Sequence, residues 1–472
     1  MTKSSLSNFR NCCRAQENKC HMDSRFPHTA QVHSGNQTPL SDHARRSADQ
    51  AIGFLMQQAV ENADCISLAA GLVDEESLPV KIVREAVAEL LSDVDSGRKL
   101  LQYGITSGPE VLRRVFRTNL ARLEQRTDEL RDLPLSQLVL TTGSQQLLSL
   151  VTQALFNPGD ICLVAAPTYF VYIDVLQAAG ADIIPVAADA DGMRPDSLAA
   201  AFAHIRSEGK LHRVRLVYVV SDFDNPSGVS VSAARRPEIL KTVQQNSTDH
   251  RIFLLEDCAY RELRYDGEAI PSIWSLDKTR ETVILAQTFS KSFSPGIRVG
   301  MGVLPQSLVK AVTDLKGNED FGSANLNQHI VARAIHTGAY AEHVRHVCQS
   351  YRRKRDAMVT TVEREFSGLP GVSWFKPQGG MYVWLRLPDH IETGFSSLLF
   401  QRATQVDKVM YVPGELCYPA GWAERPRCEM RLSFGVQNVA GIEAGIHRLA
   451  SAVRWVLDTS PQQPVRQSES ER

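Results

Sequence analysis

The chain has 472 residues, a formal net charge of -1, 43% hydrophobic residues and 22% charged ones. That length holds two domains or one large core with a satellite, and the composition is that of a globular protein. Near-neutral charge removes the basic footprint of a nucleic-acid binder, and no stretch reaches the roughly 18 to 20 apolar residues that span a bilayer, so neither nucleic acid nor membrane is expected as a partner.

Residues 1–40 are rich in Ser, Asn, Gln, His and Thr, a composition that buries too little surface to offset the entropy of ordering, and they read as a disordered extension. Cys12-Cys13 and Cys20-His21 fall in this stretch without a second paired ligand set, so no metal is assigned. No secretory h-region is visible, and the nine cysteines, odd in number and mostly set singly, read as reduced thiols in a cytoplasmic protein. From Ser41 a helical pattern begins, capped by Ser41 or Asp42, with Ile52, Leu55, Met56 and Ala59 on one face. Short apolar runs at 137–141, 161–165, 181–186, 216–220, 252–255 and 282–286 read as buried strands, with helical periods such as 145–155 and 237–245 between them. This alternation predicts an α/β domain with a mostly parallel sheet covered by helices on both faces. A helix over 343–366 then leads into alternating segments at 372–375, 381–385 and 430–434, which predict a smaller α+β domain with an antiparallel sheet. Residues 460–472 read as a loose tail.

Parallel sheets place ligands beyond the carboxyl ends of their strands, so the residues there are the ones to inspect. Lys291 sits just past the run 282–286, in the loop Thr288-Phe289-Ser290-Lys291 that continues through Pro295-Gly296 to Arg298. A lysine desolvated near other cations loses its proton readily and forms a Schiff base with an aldehyde, while Thr288, Ser290 and Arg298 suit a phosphate. Thr142-Gly143-Ser144-Gln145 is a glycine turn opening a helix, a place for an anion, though many helices start this way with no ligand. Asn225, in Asp224-Asn225-Pro226-Ser227-Gly228, offers an amide donor or else an ordinary turn. In Glu256-Asp257-Cys258-Ala259-Tyr260, a strand-tip acid is costly unless it meets a cation such as a protonated pyridine nitrogen, and Tyr260 reaches the same ring. Together these ends describe an aromatic aldehyde carrying a phosphate, a ring hydroxyl and a ring nitrogen, which is pyridoxal phosphate.

On these residues the chain resembles the class I/II pyridoxal-phosphate aminotransferases of fold type I, from about Ile66 to Phe434, and looks nearest to the branch acting on 2-aminoadipate, kynurenine and multiple substrates. The resemblance implies that Lys291 carries the cofactor, that Asp257 pairs with its ring nitrogen, and that Asn225 and Tyr260 bond its ring oxygen. It implies Ser144, Gln145, Thr288, Ser290 and Arg298 for the phosphate and Tyr169 for stacking on the ring. Leu101-Gln102-Tyr103-Gly104 is similar to the segment whose tyrosine reaches the other subunit's phosphate, which implies a homodimer with shared sites. The segment 66–71, ending at Gly71, resembles the substrate entrance, and Arg431 matches the arginine for the substrate α-carboxylate. Implied domains are an arm at 41–80 packing on the small domain and partner, a large cofactor-binding domain at 81–335 and a small domain at 336–459. Ser221, Asp224 and Cys428 depart from the family pattern, the last two near expected site walls. The helix around Ile52 offers no arginine for an acidic side chain, with Arg45 and Arg46 one to two turns earlier, which leans towards apolar or aromatic substrates.

The activity expected is therefore a ping-pong transamination between an amino acid and a 2-oxo acid. Other chemistry on the same scaffold, such as C–S β-elimination, decarboxylation or racemisation, remains the rival. A regulator sensing cofactor is the more distant one, since the first forty residues lack the pattern of a DNA-binding winged helix.

Overall fold

The computed structural model describes residues 38–48, 51–62, 64–126 and 132–459. The expected N-terminal extension with its Cys-His cluster, the C-terminal tail, and the side chains of Met56 and Ala59 lie outside the described residues. Strands in chain order are β1 (Ile66–Ser67), β2 (Leu138–Thr141), β3 (Ile161–Ala166), β4 (Asp182–Asp189), β5 (Gly192–Met193), β6 (Val214–Val220) and β7 (Phe253–Asp257). They continue with β8 (Val283–Thr288), β9 (Gly300–Val303), β10 (Ser373–Trp374), β11 (Tyr382–Arg386), β12 (Val409–Met410), β13 (Val412–Pro413) and β14 (Glu429–Ser433).

The large sheet runs β2-β9-β8-β7-β6-β3-β4-β5. The contiguous block β8-β7-β6-β3-β4 is parallel, which fits apolar runs buried on both faces: β3, β7 and β8 are buried at every position. Helices Gly143–Leu155, Phe170–Ala179, Pro195–Ser207 and Arg235–Asn246 form the crossovers. Strand β9, which no apolar run announced, is antiparallel to both neighbours and separates β2 from β8. Its Gly300 faces Thr141 on one side and Thr288 on the other, so it brings the ends of two distant strands together. No side chain fits there: a Cβ on Gly300 would lie 2.6 Å from Gly143 C and 2.8 Å from Ser144 N.

The second sheet runs β10-β11-β14-β13 and is antiparallel throughout, as the alternating segments predicted. In it Arg431 is paired with Trp384 on one side and Val412 on the other. β1 and β12 form a separate parallel pair, and Leu68 then bridges to the second sheet by accepting from Ser433 N at 2.7 Å. The helix expected from Ser41 is instead two described segments, Asp42–Arg46 and Ala51–Glu61. Ser41 does cap the first, its Oγ accepting from Ala44 N at 3.1 Å. Leu55 is buried, but Ile52 is partly exposed and turns towards the cavity described next, so the two do not share one core-facing stripe.

Candidate active site

Beyond the ends of β6, β7 and β8 lies a cavity of about 300 Å³. Ser144, Gln145, Tyr169, Asn225, Asp257, Tyr260, Thr288, Ser290, Lys291 and Arg298 all line it, with Ile52, Val171, Val220, Ala259 and Pro295. Stretches as far apart in sequence as Ser144 and Arg298 thus meet, most of them where parallel strands end on the same side.

Period-2 alternation decides which acid of Glu256-Asp257 enters the cavity. Asp257 faces it, whereas Glu256 points away, accepting from Ile273 N at 2.9 Å and Trp274 N at 2.8 Å, with Arg236 4.0 Å off. Both are buried. Burial pushes the Asp257 carboxyl up to about 6, against hydrogen bonds from Tyr218 Oη and Ala259 N, each 3.1 Å, that favour its ionised form. Tyr218 is fully buried and went unnoticed in the sequence, where it is one apolar-looking residue of a buried strand.

Lys291 Nζ donates to the carbonyl oxygen of Gly71 at 2.7 Å. Burial lowers its pKa; Tyr382 acts in the opposite sense, and the cations of Arg431 and Arg298 add to the lowering. This is the desolvated lysine that Schiff-base chemistry needs.

At the other end, Thr288 Oγ1 donates to Ser290 Oγ at 2.9 Å, and Arg298 Nη1 reaches the same oxygen at 3.4 Å. Arg298 Nη2 donates to Thr142 O at 3.2 Å, beside the start of helix Gly143–Leu155. A Cβ on Gly143, whose φ is +73°, would lie 2.8 Å from Arg298 Nη2, so glycine serves both the turn and the close approach. Hydroxyls, a guanidinium and a helix start converge here as a phosphate group requires.

Arg431 is buried, and its neighbours are acceptors without formal charge: Nη1 donates to Asn225 Oδ1 at 2.8 Å and Nη2 to Ala69 O at 2.7 Å. Its Nε has no hydrogen-bond partner, and among the described residues no carboxylate pairs with it. The ring of Tyr382 lies 4.4 Å from its guanidinium carbon. Because Asn225 Oδ1 is taken by Arg431, the amide nitrogen is turned to Tyr260 Oη, 3.5 Å away, which also lies 3.1 Å from Tyr382 Oη. Tyr382 was legible only as part of the alternating segment 381–385, not as a site residue.

Three predicted residues are not in the cavity's lining: Gly71, Tyr103 and Arg431, the last of which meets it through Asn225. Gly71 meets it through the carbonyl that holds Lys291, and Tyr103 is 80% exposed, its ring 6.0 Å from that of Phe321. The departures also fall elsewhere: Asp224 lines a neighbouring cavity of about 390 Å³, and Cys428 packs beside Asp389 at 3.6 Å. Neither lines the lysine cavity itself, though Asp224 adjoins Asn225, which does. Arg46 Nε donates to Ala178 O at 3.1 Å and Arg45 lies 3.5 Å from Asp42, so neither arginine lines the cavity. The six described cysteines, Cys65, Cys162, Cys258, Cys348, Cys417 and Cys428, are free thiols.

A lysine with lowered pKa, a buried acid opposite a space for a basic ring, and an anion cup at strand ends fit pyridoxal phosphate. With this sheet, they place the protein among the fold type I enzymes that use that cofactor. Comparison narrows the class. Residues 63–430 match the family aminotransferase class I and II, and the chain belongs to it. The aromatic-amino-acid aminotransferase 1 of Thermococcus litoralis is 33% identical over 428 residues, covering 89% of this chain and 96% of that one. The crystal structure of a multiple substrate aminotransferase from Thermococcus profundus is 33% identical, with a TM-score of 0.79 over 89% of this chain and 98% of its own. An alpha-aminoadipate aminotransferase from Thermus thermophilus, complexed with N-(5'-phosphopyridoxyl)-L-leucine, is 29% identical, with a TM-score of 0.75 over 89% and 98%. The protein is a pyridoxal-phosphate-dependent transaminase.

Proposed function

We propose that the enzyme moves an amino group from an apolar or aromatic L-amino acid to a 2-oxo acid in two half-reactions. The observation that carries this preference is the arm's contribution to the cavity: Ile52 lines it, while Arg45 and Arg46 are engaged elsewhere. An acidic side chain meets no cation from that wall. The name of the Thermococcus litoralis relative, an aromatic-amino-acid aminotransferase, supports the same reading.

Bound pyridoxal phosphate supplies the electron sink for the substrate Cα. Arg431 holds the substrate α-carboxylate through a planar pair of donors and so fixes the Cα near Lys291. Lys291 Nζ, released from Gly71 O, would act as the base that takes the substrate Cα proton and as the acid that gives the same proton up at the cofactor's C4′. Asp257 would keep the ring nitrogen of a bound cofactor protonated, Asn225 Nδ2 and Tyr260 Oη would donate to its ring oxygen, and Tyr169 would stack on its ring. Ser144, Gln145, Thr288, Ser290 and Arg298 hold the phosphate. Tyr103, exposed on the single chain, completes that phosphate site in a second copy, making a homodimer with shared sites the working form. The arm at 41–80, the large domain at 81–335, the small domain at 336–459, and a cytoplasmic location complete the reading.

A donor panel with 2-oxoglutarate and pyruvate as acceptors tests it. Phenylalanine, tyrosine and leucine are expected to exceed 2-aminoadipate and aspartate in kcat/KM by about tenfold or more, the difference of about 1.4 kcal/mol that one unmatched polar contact makes. A preference for the acidic donors would overturn the assignment, and release of ammonia in place of amino transfer would overturn the reaction.

A further inference from the structure

Helix Gln306–Asp320 carries Lys316, whose side chain is fully buried, and pairs it with Asp320 one turn on, Nζ to Oδ1 2.7 Å. Lys316 is buried while the Asp320 side chain stays partly exposed, and because replacing buried charges by apolar residues of similar volume is often neutral or stabilising, stability alone gives little reason for this pair. Its contacts give another. Asp320 Oδ2 accepts from Gln146 Nε2 at 2.8 Å, and Lys316 Nζ also donates to Ser323 Oγ at 2.9 Å. Gln146 Oε1 in turn accepts from Thr142 N at 2.9 Å, and Thr142 Oγ1 donates to Ser323 Oγ at 3.0 Å. Thr142 O receives Arg298, so this residue is held on its N–H, its hydroxyl and its carbonyl at once. The helix start that follows it carries Ser144 and Gln145.

We propose that the Lys316–Asp320 pair, acting through Gln146 and Thr142, is a positioning device that sets the shape of the phosphate cup and hence selects the phosphorylated cofactor over its unphosphorylated form. Neither member of the pair lines the cavity, so the effect passes through the helix start and not through contact. The inference rests on the reading that Ser144, Gln145, Thr288, Ser290 and Arg298 bind the phosphate.

The test titrates cofactor-free protein with pyridoxal phosphate and with pyridoxal, following absorbance, and records thermal melting of the same samples. Lys316→Met/Asp320→Leu is expected to melt within a few degrees of wild type, to bind pyridoxal phosphate about tenfold more weakly, and to bind pyridoxal within about twofold of wild type. Gln146→Met removes the amide link between Asp320 and Thr142 while keeping both members of the ion pair, and is expected to show a phosphate-specific loss in the same direction, which decides the matter if the double variant does not fold. Equal weakening of both ligands, or no weakening of either, overturns the proposal. Arg298→Ala separates it from the reading beneath: if that variant keeps its preference for the phosphorylated ligand, the phosphate-site assignment itself fails. If Arg298→Ala loses the preference while the Gln146 and Lys316/Asp320 variants keep it, only the positioning role fails.

Discussion

Replacing Asp257 by Asn tests whether the buried acid is kept for the cofactor at the expense of the empty protein. A rise of its pKa from 3.8 to about 6, at about 1.4 kcal/mol per pH unit, means that ionised Asp257 destabilises the cofactor-free fold by about 3 kcal/mol. Between those two values the unfolded chain has released the proton and the native state retains it, so stability falls as pH rises and then levels off above about pH 6. The lost hydrogen bonds from Tyr218 and Ala259 shift Asp257→Asn by an amount that does not depend on pH. The informative quantity is therefore the change with pH of the difference between the two proteins. Urea unfolding of cofactor-free protein, followed by tryptophan fluorescence from about pH 4.5 to about pH 7.5, is expected to show wild type losing about 2 kcal/mol relative to Asp257→Asn. Reconstitution with pyridoxal phosphate, whose ring cation offsets the buried charge, is expected to remove that slope from the wild type. A difference that stays flat with pH in the cofactor-free proteins would refute the argument.

Arg431→Met is expected to lower kcat/KM for amino acids by about two orders of magnitude, roughly 3 kcal/mol for two charged hydrogen bonds, while leaving the absorbance of bound cofactor unchanged. Steady-state kinetics beside a cofactor titration check this, and a loss below about fivefold would exclude Arg431 as the carboxylate anchor. If Tyr103 serves the neighbouring subunit, mixing Tyr103→Ala with Lys291→Ala creates hybrid dimers in which one site has both residues intact. Refolding an equal mixture is then expected to yield about a quarter of wild-type activity, since about half the dimers are hybrid and each carries one complete site. Activity no higher than the separate variants would place Tyr103 outside the shared site.

Much of the site was legible because its signals are local. A strand of known period ending in Asp257, a glycine turn before Ser144 and the hydroxyl-rich loop around Lys291 each specify where a side chain stands relative to a strand end. The antiparallel sheet was legible for the same reason, in the alternation of 381–385 and 430–434. Short or glycine-rich pieces carried no such period, so β1, β5, β9 and β12 gave no warning. The arm was misjudged because helical periodicity marks one apolar face without saying what covers it. Ile52 belongs to the cavity and Leu55 to the core.

By itself the sequence determined the fold class and brought out the candidate lysine, acid and glycine turn, since each depends on residues within a few positions of one another. Only the tertiary structure decided that Tyr218 steadies Asp257, and that Arg431, 206 positions from Asn225, fixes that amide and lacks a carboxylate partner among the described residues. It alone set Asp224 and Cys428 outside the lining of the lysine cavity and joined Lys316 to Thr142, 174 positions distant, through Asp320 and Gln146. Such pairings depend on how separate elements are brought together, and no spacing along the chain encodes the distance between side chains that meet only after the sheet has formed.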